Sequence, residues 1–245
     1  MRKIRRIFSG IAALALMSAA ALAEPLTLGE DLAEEVRVPL NDQADYVYRY
    51  RYPQVDAADP SAELINSFYE YKAEDAVGFE IPMNADYYQA QEPAEDVRVE
   101  IDYQVTCNGD DFFSVLIRII QGDLCTYAGH TFSRQGIKPG SSVALPYLLG
   151  LLESEESDTW LQDRQTGKAD RLVREMVWEA LEEREDITLF EDLDEEYLEY
   201  AFFPEEDFYL DETGNPVFYL QPGAVEDSDR LITVPITIED ILDEM

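Results

Sequence analysis

Apart from carboxylates, the sequence holds few side chains suited to nucleophilic, acid–base or metal chemistry. His130 is the only histidine, so a catalytic triad, a histidine metal cluster or a His-based acid–base pair would rest on one imidazole. A hydrolytic zinc site takes several His or Cys ligands, and only Cys107 and Cys125 accompany that histidine. The sequence therefore argues against these enzyme classes, and a structural role in a strand or turn is the simpler interpretation of His130.

Carboxylates, in contrast, are abundant, with 53 Asp or Glu against 18 Lys or Arg among 245 residues and a formal charge of -35. Pairs at any spacing then occur by chance, so a glycosidase-type acid and nucleophile is not identified. The acidic turns at 108–111 and 211–215 do not fit the EF-hand loop. No phosphate-binding glycine loop, Gly-x-Ser-x-Gly elbow or cofactor lysine is recognisable, so we predict no cofactor, no metal and no catalytic residue.

The charge balance also restricts the partners. Nucleic-acid binding needs clustered basic residues, and no stretch after residue 23 offers such a cluster. An anionic membrane surface would repel the chain. Apolar residues make up 46% and aromatic residues 11% of the sequence, which is enough to bury a core. We therefore predict a folded, acidic protein whose partner is cationic or belongs to the cell envelope.

The N-terminus reads as a secretory signal at residues 1–23. Four basic residues among the first six precede an apolar run, Ile11–Leu22, which ends in the cleavage-site pattern Ala21-Leu22-Ala23. The run is short for a membrane span, which takes about 20 apolar residues, and no later segment is better suited. We expect cleavage after Ala23, a secreted or cell-envelope location, and no membrane span in the mature chain.

An extracytoplasmic location would permit a disulfide between Cys107 and Cys125. If the two lie at opposite ends of an intervening strand, about 3.3 Å per residue separates them by some 20 Å or more. A bridge needs Cα atoms within roughly 7 Å. The sequence therefore does not decide between a disulfide and two free thiols.

The first elements are two strands and a helix. Val36–Leu40 and the segment 46–52 read as strands, and the tyrosines at every second position of the latter form one aromatic face. That face is either a binding surface or core packing. Asp59 is the expected cap of a helix with Pro60 at its first position. The helical spacing continues to about Val77, and Gly78 and Pro82 are expected to break or kink it before Tyr87.

The clearest local signal is the strict alternation of apolar and polar residues from Val97 to Thr106, which predicts a half-buried strand. Asn108-Gly109 marks the following turn. A three-residue loop pairs Val105 with Phe113 and Tyr103 with Val115, and so collects the apolar residues of both strands on one face. A third strand, from Leu124 to about Arg134, completes a meander. We expect its apolar face to be buried against a helix, including Val99, Ile101, Val115 and Ile117.

A loop at 136–140 separates an N-terminal α+β half, 24–136, from a C-terminal half, 137–245, packed with it. From Glu182 to Glu212 there are fifteen acidic residues and one basic residue, interleaved with aromatic ones, so this segment can pack on a core. The fold class predicted is α+β, with an antiparallel sheet made of the meander and a C-terminal hairpin, packed against two or more helices. The C-terminal elements expected are a helix at 168–184, a hairpin of 208–210 with 217–220, a strand at 231–236 and a helix at 238–244.

Several short motifs together resemble the extracytoplasmic domain of the RsiV-like anti-sigma factors. They are Tyr52-Pro53 before the first helix, Thr126-Tyr127-Ala128-Gly129-His130 at the family's Thr-Gly-Gly-Ala-His turn, and the closing segment from Asp207 to Ile241 with Phe208-Tyr209-Leu210 and Val217-Phe218-Tyr219. The central residues of the Thr…His motif differ from the family pattern. Pro222-Gly223-Ala224-Val225-Glu226-Asp227 also stands where the family places a tyrosine-containing segment.

The resemblance implies a non-catalytic α+β module outside the cytoplasmic membrane, of a type whose best-understood members bind lysozyme. We therefore expect a secreted binding or sensor-type domain that engages a cationic, lysozyme-like protein or an envelope component. The alternative is a carboxylate-dependent hydrolase of cell-wall glycan. The candidate binding residues are Thr126, Tyr127, His130, Tyr197, Tyr200, Pro222, Glu226 and Asp227.

Overall fold

A computed structural model describes residues 25–136, 138–151 and 159–245 of the chain. The expected signal peptide, 1–23, lies outside these residues. The described chain folds into a mixed α+β structure with one five-stranded and one three-stranded sheet, packed with several helices. The predicted fold class is therefore confirmed.

The larger sheet is formed by residues from the N-terminal half of the chain, and the smaller one by residues from the C-terminal half. The strands of the larger sheet are β1 (Leu32–Pro39), β2 (Asp45–Tyr52), β3 (Val97–Asn108), β4 (Phe112–Gln121) and β5 (Leu124–Ser133). The strands of the smaller sheet are β6 (Phe208–Leu210), β7 (Pro216–Leu220) and β8 (Ile232–Pro235). The helices are α1 (Ala62–Asp75), α2 (Ile81–Gln89), α3 (Leu145–Leu148), α4 (Thr159–Glu182), α5 (Leu198–Ala201) and α6 (Ile238–Glu244).

The larger sheet has the order β1-β2-β3-β4-β5. The predicted meander forms its β3-β4-β5 part, with antiparallel pairing throughout. Strands β2 and β3 run parallel, however, and the chain between them contains α1 and α2. A purely antiparallel sheet was thus an incomplete prediction, because a crossover of this length permits parallel pairing.

The β3–β4 register differs from the expected one by two residues. Val105 lies opposite Val115 and Tyr103 opposite Ile117, and a bulge separates Val105 from Cys107. A shift of two keeps every side chain on its predicted face, because the side-chain period of a strand is two. The predicted burial is confirmed: Val99, Ile101, Val115 and Ile117 are all buried.

The aromatic face of β2 packs into the first core. The tyrosines at 46, 48, 50 and 52 are at most 5% exposed, and Tyr52 stacks on Tyr69 of α1 with ring centroids 5.3 Å apart. Ile65 of α1 and Ile81 of α2 belong to the same core. Of the two interpretations of this tyrosine stripe, core packing is the one the fold adopts.

The first helix does not break where the sequence suggested. Its N-cap is Ser61 rather than Asp59, whose carboxylate instead accepts a hydrogen bond from the Ser61 N–H at 2.8 Å. Residues 76–80, which include Gly78, form a π-helical turn that joins α1 to α2 without interruption. Pro82 falls in the first turn of α2, where a missing N–H is tolerated. The result is one helical stretch over residues 62–89.

The C-terminal elements surround a second core. Val173 and Val177 of α4 pack there with Phe218 of β7 and Ile241 of α6. Helix α4 begins at Thr159, before the predicted start at residue 168, whereas α6 matches its predicted bounds. Cys107 and Phe112 of the larger sheet also contact this core, so the two halves meet. Among the described residues, no helix is long and apolar enough to cross a membrane.

Candidate functional site

Residues 182–212, here called the acidic–aromatic segment, lie over the second core. Three of its apolar side chains, Leu198, Phe202 and Leu210, are completely buried. Phe202 meets Phe218 edge to face, with ring centroids 6.0 Å apart. These contacts hold in place a stretch that carries fifteen acidic residues and one basic residue. The sequence-based expectation that this segment packs on a core is confirmed.

Other aromatic side chains of the same segment face solvent. Tyr200 is 74% exposed, and Phe190, Tyr197 and Phe203 are each more than 40% exposed. Hydrogen bonds hold the backbone at two of these residues: the Tyr197 N–H donates to Asp194 at 3.1 Å, and the Phe203 N–H donates to Asp207 at 2.8 Å. The segment thus presents exposed aromatic rings among carboxylates. Rings of this kind supply contact area at low entropic cost.

The loop at 222–229 packs beside the start of the acidic–aromatic segment. Glu226 is buried and accepts hydrogen bonds from Arg230 at 2.6 Å and from the Thr188 N–H at 3.2 Å. Arg230 also pairs with Asp186 at 3.0 Å. The Arg230 guanidinium lowers the pKa of Glu226, which therefore stays ionised. Glu226 is engaged within the fold, and Asp227 is exposed beside it.

The Thr126–His130 motif is not a turn. It lies in the middle of β5, at the edge of the larger sheet. Side chains at and just after β7 accept hydrogen bonds from two backbone N–H groups of this edge. The Tyr127 N–H donates to Gln221 at 2.9 Å, and the Gly129 N–H donates to the Tyr219 hydroxyl at 2.8 Å. The Gln221 Nε2 also donates to the Tyr127 carbonyl oxygen at 2.8 Å, and Pro222 follows Gln221 in the chain. Thr126 is exposed on the strand.

His130 points toward α1. Its ring meets Phe68 edge to face at 5.0 Å between centroids, and its Nδ1 lies 3.3 Å from the Tyr69 hydroxyl. Burial, together with the nearby charge of Lys72, lowers the pKa of His130 to about 3. The imidazole is therefore neutral near pH 7, as expected of a structural histidine.

A cleft of about 500 Å³ lies where β5 and α1 meet the smaller sheet, and we call it the junction cleft. Tyr127 and His130 line one side, and the carboxylates of residues 205–207 line the other. Lys72 stands at the same cleft, with its ammonium 5.5 Å from the Phe68 ring centroid. The structure thus brings two of the predicted site residues to one cavity with an acidic wall.

Cys107 and Cys125 are both free thiols, so the disulfide left open by the sequence is not formed. Cys107 lies opposite Ser114 near one end of β4, and Cys125 lies opposite Ile120 near its other end. The intervening strand keeps the thiols apart, which is the geometry that disfavours a bridge.

The acidic turn at 211–215 satisfies its own polar groups. The Asp211 carboxylate accepts hydrogen bonds from the N–H groups of Thr213 and Asn215 at 2.8 and 3.1 Å. Within the described part of the chain, no group of three or more His, Cys, Asp or Glu side chains is arranged to hold a metal ion.

Comparisons with known proteins give structural neighbours only. No family model and no curated protein sequence matches the chain. A DUF3298 family member from Bacteroides fragilis aligns with a TM-score of 0.45 at 11% identity, over 89% of this chain and 93% of its own. A DUF3298 family protein from Pseudomonas aeruginosa aligns with a TM-score of 0.45 at 12% identity, over 89% and 93% of the two chains.

The predicted site residues thus lie in two places. Tyr127 and His130 line the junction cleft, with Thr126 on the same strand, whereas Tyr197 and Tyr200 lie on the acidic–aromatic segment. Pro222, Glu226 and Asp227 belong to the loop at 222–229, which adjoins the start of that segment. Sequence reasoning missed the exposed rings Phe190 and Phe203. Their positions among acidic residues in the sequence indicated a binding role, but only the structure distinguishes these exposed rings from the buried ring of Phe202.

Proposed function

We propose that this chain is an extracytoplasmic, non-catalytic binding module that engages a cationic protein of the lysozyme type. The observation that carries the proposal is the acidic–aromatic segment, which presents exposed rings within a dense field of carboxylates. The signal-like residues 1–23 support an extracytoplasmic location. The likeness to RsiV-like sensor domains, which rests on short sequence motifs, agrees with this choice of partner.

The two parts of the surface would have different roles in binding. Carboxylates steer a basic protein toward the segment and raise the association rate, mainly at low ionic strength. The Debye length is about 8 Å at physiological salt, so only concentrated charge of this kind acts there. Exposed rings such as Tyr200 then supply the apolar contacts that slow dissociation. The neighbouring loop at 222–229 extends the same surface.

The test uses lysozyme as the basic probe and measures association and dissociation rates with the mature chain. Raising the salt from about 20 to 500 mM should slow association by about tenfold or more, because steering is screened. Tyr200→Ser should speed dissociation by about tenfold, consistent with loss of an interfacial aromatic anchor. Combined Glu195→Gln, Glu196→Gln and Glu199→Gln should slow association instead.

Matched controls separate this mode of binding from non-specific attraction. Leu124 lies outside the acidic–aromatic segment, and at 70% its exposed fraction is close to the 74% of Tyr200. Leu124→Ser should therefore change neither the association rate nor the dissociation rate. Lysozyme whose amines have been succinylated should not bind. The proposal fails if native lysozyme does not bind at low salt, or if the succinylated protein binds as well as the native one.

One observation favours the alternative, a carboxylate-dependent hydrolase of cell-wall glycan. Asp170 of α4 is only 8% exposed. Burial is the main cause that raises the pKa of Asp170 to about 7, and its hydrogen bond to Glu205 is the second. Glu205 lines the junction cleft, so Asp170, with its raised pKa, neighbours a carboxyl group of that cleft. Release of reducing ends from wall glycan by the native chain, but not by Asp170→Asn, would favour this function over binding alone.

A further inference from the structure

The helical stretch 62–89 exposes an apolar stripe on its outer side. Of the thirteen large apolar side chains that are exposed in the described part of the chain, six lie here. Tyr71, Phe79 and Tyr87 are each more than 60% exposed, and Met83 is 51% exposed. We call these four residues the helical stripe, and Leu64 and Val77 are the other two exposed apolar side chains of the helical stretch.

The opposite side of the same helix is already used by the fold. Ile65, Tyr69 and Ile81 are buried in the first core against the larger sheet. A surface helix normally has one apolar face and one polar face. Here the helix is apolar on two sides, and the second side contacts nothing within the described residues that would bury it. Contiguous exposed apolar surface of this kind marks interaction sites.

Spacing and the π-helical turn shape the stripe. Phe79, Met83 and Tyr87 are four residues apart, so they lie on one face of the helix. The π turn at 76–80 leaves Val77 and Phe79 both facing solvent. The helical stretch is about 40 Å long at 1.5 Å per residue. Its exposed side carries an apolar ridge, and such ridges pack into the grooves of another helix.

Charge decides what kind of helix fits. Between residues 62 and 89 there are six acidic residues and one basic residue, Lys72. Acidic side chains beside an apolar seam select a partner with basic side chains at the facing positions. A second copy of this chain would bring acidic flanks together, and an anionic lipid surface would be repelled. The flanking acidic residues are Glu63, Glu70, Glu74, Asp75, Glu80 and Asp86.

We propose that the helical stripe is a docking surface for a basic amphipathic helix of a partner protein. The apolar face of the incoming helix packs along Phe79, Met83 and Tyr87, and its Lys or Arg side chains meet the flanking carboxylates. This surface is separate from the acidic–aromatic segment, so the proposal does not rest on lysozyme-type binding.

The probe is a fluorescently labelled Leu/Lys peptide of about 18 residues, or five helical turns, with leucines at helical spacing. Fluorescence anisotropy measures its affinity for the mature chain at near-physiological salt. The combined variant Phe79→Ser, Met83→Ser and Tyr87→Ser should bind the peptide about tenfold or more weakly. These side chains are exposed, so the variant should keep the far-ultraviolet circular dichroism of the native chain.

Controls separate the stripe from general attraction to an acidic protein. A peptide of the same composition but scrambled order, which forms no apolar face, should bind at least tenfold more weakly than the patterned one. Leu124→Ser removes an exposed apolar side chain that lies outside both proposed surfaces and should leave the affinity unchanged. A photoreactive group on the patterned peptide should label the segment 77–87.

Three results would overturn the proposal. The first is equal affinity of the native chain and the stripe variant for the patterned peptide. The second is equal binding of the patterned and scrambled peptides, which would reduce the interaction to charge. The third is dimerisation that depends on the stripe in sedimentation equilibrium, which would assign the surface to a second copy of this chain.

Discussion

His130 shows how burial turns a side chain with catalytic potential into a structural one. Its imidazole contacts Phe68 and Tyr69, and burial with the nearby Lys72 charge holds its pKa at about 3. A neutral imidazole at this depth can pack and accept a hydrogen bond. It lacks the pKa near neutrality that general acid–base catalysis favours. The residue therefore belongs to the framework of the junction cleft.

This pKa makes stability depend on pH. Unfolding returns His130 to a pKa near 6.5, so between pH 6.5 and 3 the unfolded chain binds the proton and the folded chain does not. The stabilisation that the folded chain gains from the lowered pKa of His130 is complete above pH 6.5 and is lost as the pH falls toward 3. His130→Phe keeps a ring in place but cannot titrate. Its free energy of unfolding should fall less than that of the native chain between pH 7 and 4, by about 3 kcal/mol.

Urea unfolding at several pH values measures this difference. Carboxylates titrate in the same range, but they are present in both proteins, so the comparison isolates the histidine. The variant also loses the hydrogen bond to Tyr69, which lowers its stability at every pH and leaves the slope intact. Equal slopes for the two proteins would contradict the lowered pKa.

At the residue scale, sequence reasoning predicted a structural role for His130 and a strand from Leu124 to about Arg134 that contains it, and β5 confirms the strand. The family resemblance instead placed a turn at residues 126–130, and that turn is not formed. The edge N–H groups of Tyr127 and Gly129 donate to Gln221 and Tyr219. Those partners lie about 90 residues away in the chain, so local spacing held no sign of them.

At the scale of elements, the joint between β5 and β6 depends on one glycine. A Cβ atom at position 129 would overlap the carbonyl oxygen of Phe208 in β6. Backbone cannot move aside as a flexible side chain can, so the two sheets would have to separate. Gly129→Ala should lower the free energy of unfolding by about 3 kcal/mol, at the upper end of overpacking costs.

The matched control is Gly167→Ala in α4. No atom lies within 4 Å of a Cβ at that position, so alanine should be neutral or should stabilise the helix by up to about 1 kcal/mol. Chemical denaturation of both variants gives the comparison. A Gly129→Ala chain as stable as the native one would show that the sheets are not held at this contact.

The elements differ in how far their sequence predicted them. Strand β3 was recognisable because strict alternation sets both its type and its buried face. The bulge after Val105 was not, because it depends on the pairing with β4. Treating Gly78 and Pro82 as breaks divided the stretch 62–89 and hid the four-residue spacing of the helical stripe. The π turn contains Gly78, and Pro82 follows it in the first turn of α2, an arrangement that intrinsic propensities do not anticipate.

Over the whole molecule, charges of the two signs are unevenly placed. Arginines gather on the open face of the larger sheet, where Arg49 pairs with Glu35 at 2.5 Å and Arg98 with Asp96 at 2.7 Å. The acidic–aromatic segment has one basic residue for fifteen acidic ones. Composition predicted the large net charge, but its separation into a sheet face rich in arginines and a segment with few basic residues follows from the topology.

This distribution predicts how salt affects stability. With a formal charge of -35, the folded chain repels itself, and added salt screens that repulsion. Salt also weakens exposed ion pairs such as Arg49–Glu35, but such pairs contribute at most about 1 kcal/mol each. Repulsion should dominate, so Tm should rise by several degrees between about 10 and 500 mM sodium chloride. Calorimetry in sodium chloride, with equimolar sucrose as an uncharged control, tests this. A Tm that falls with salt would mean that ion pairs, rather than net repulsion, set the electrostatic contribution to stability.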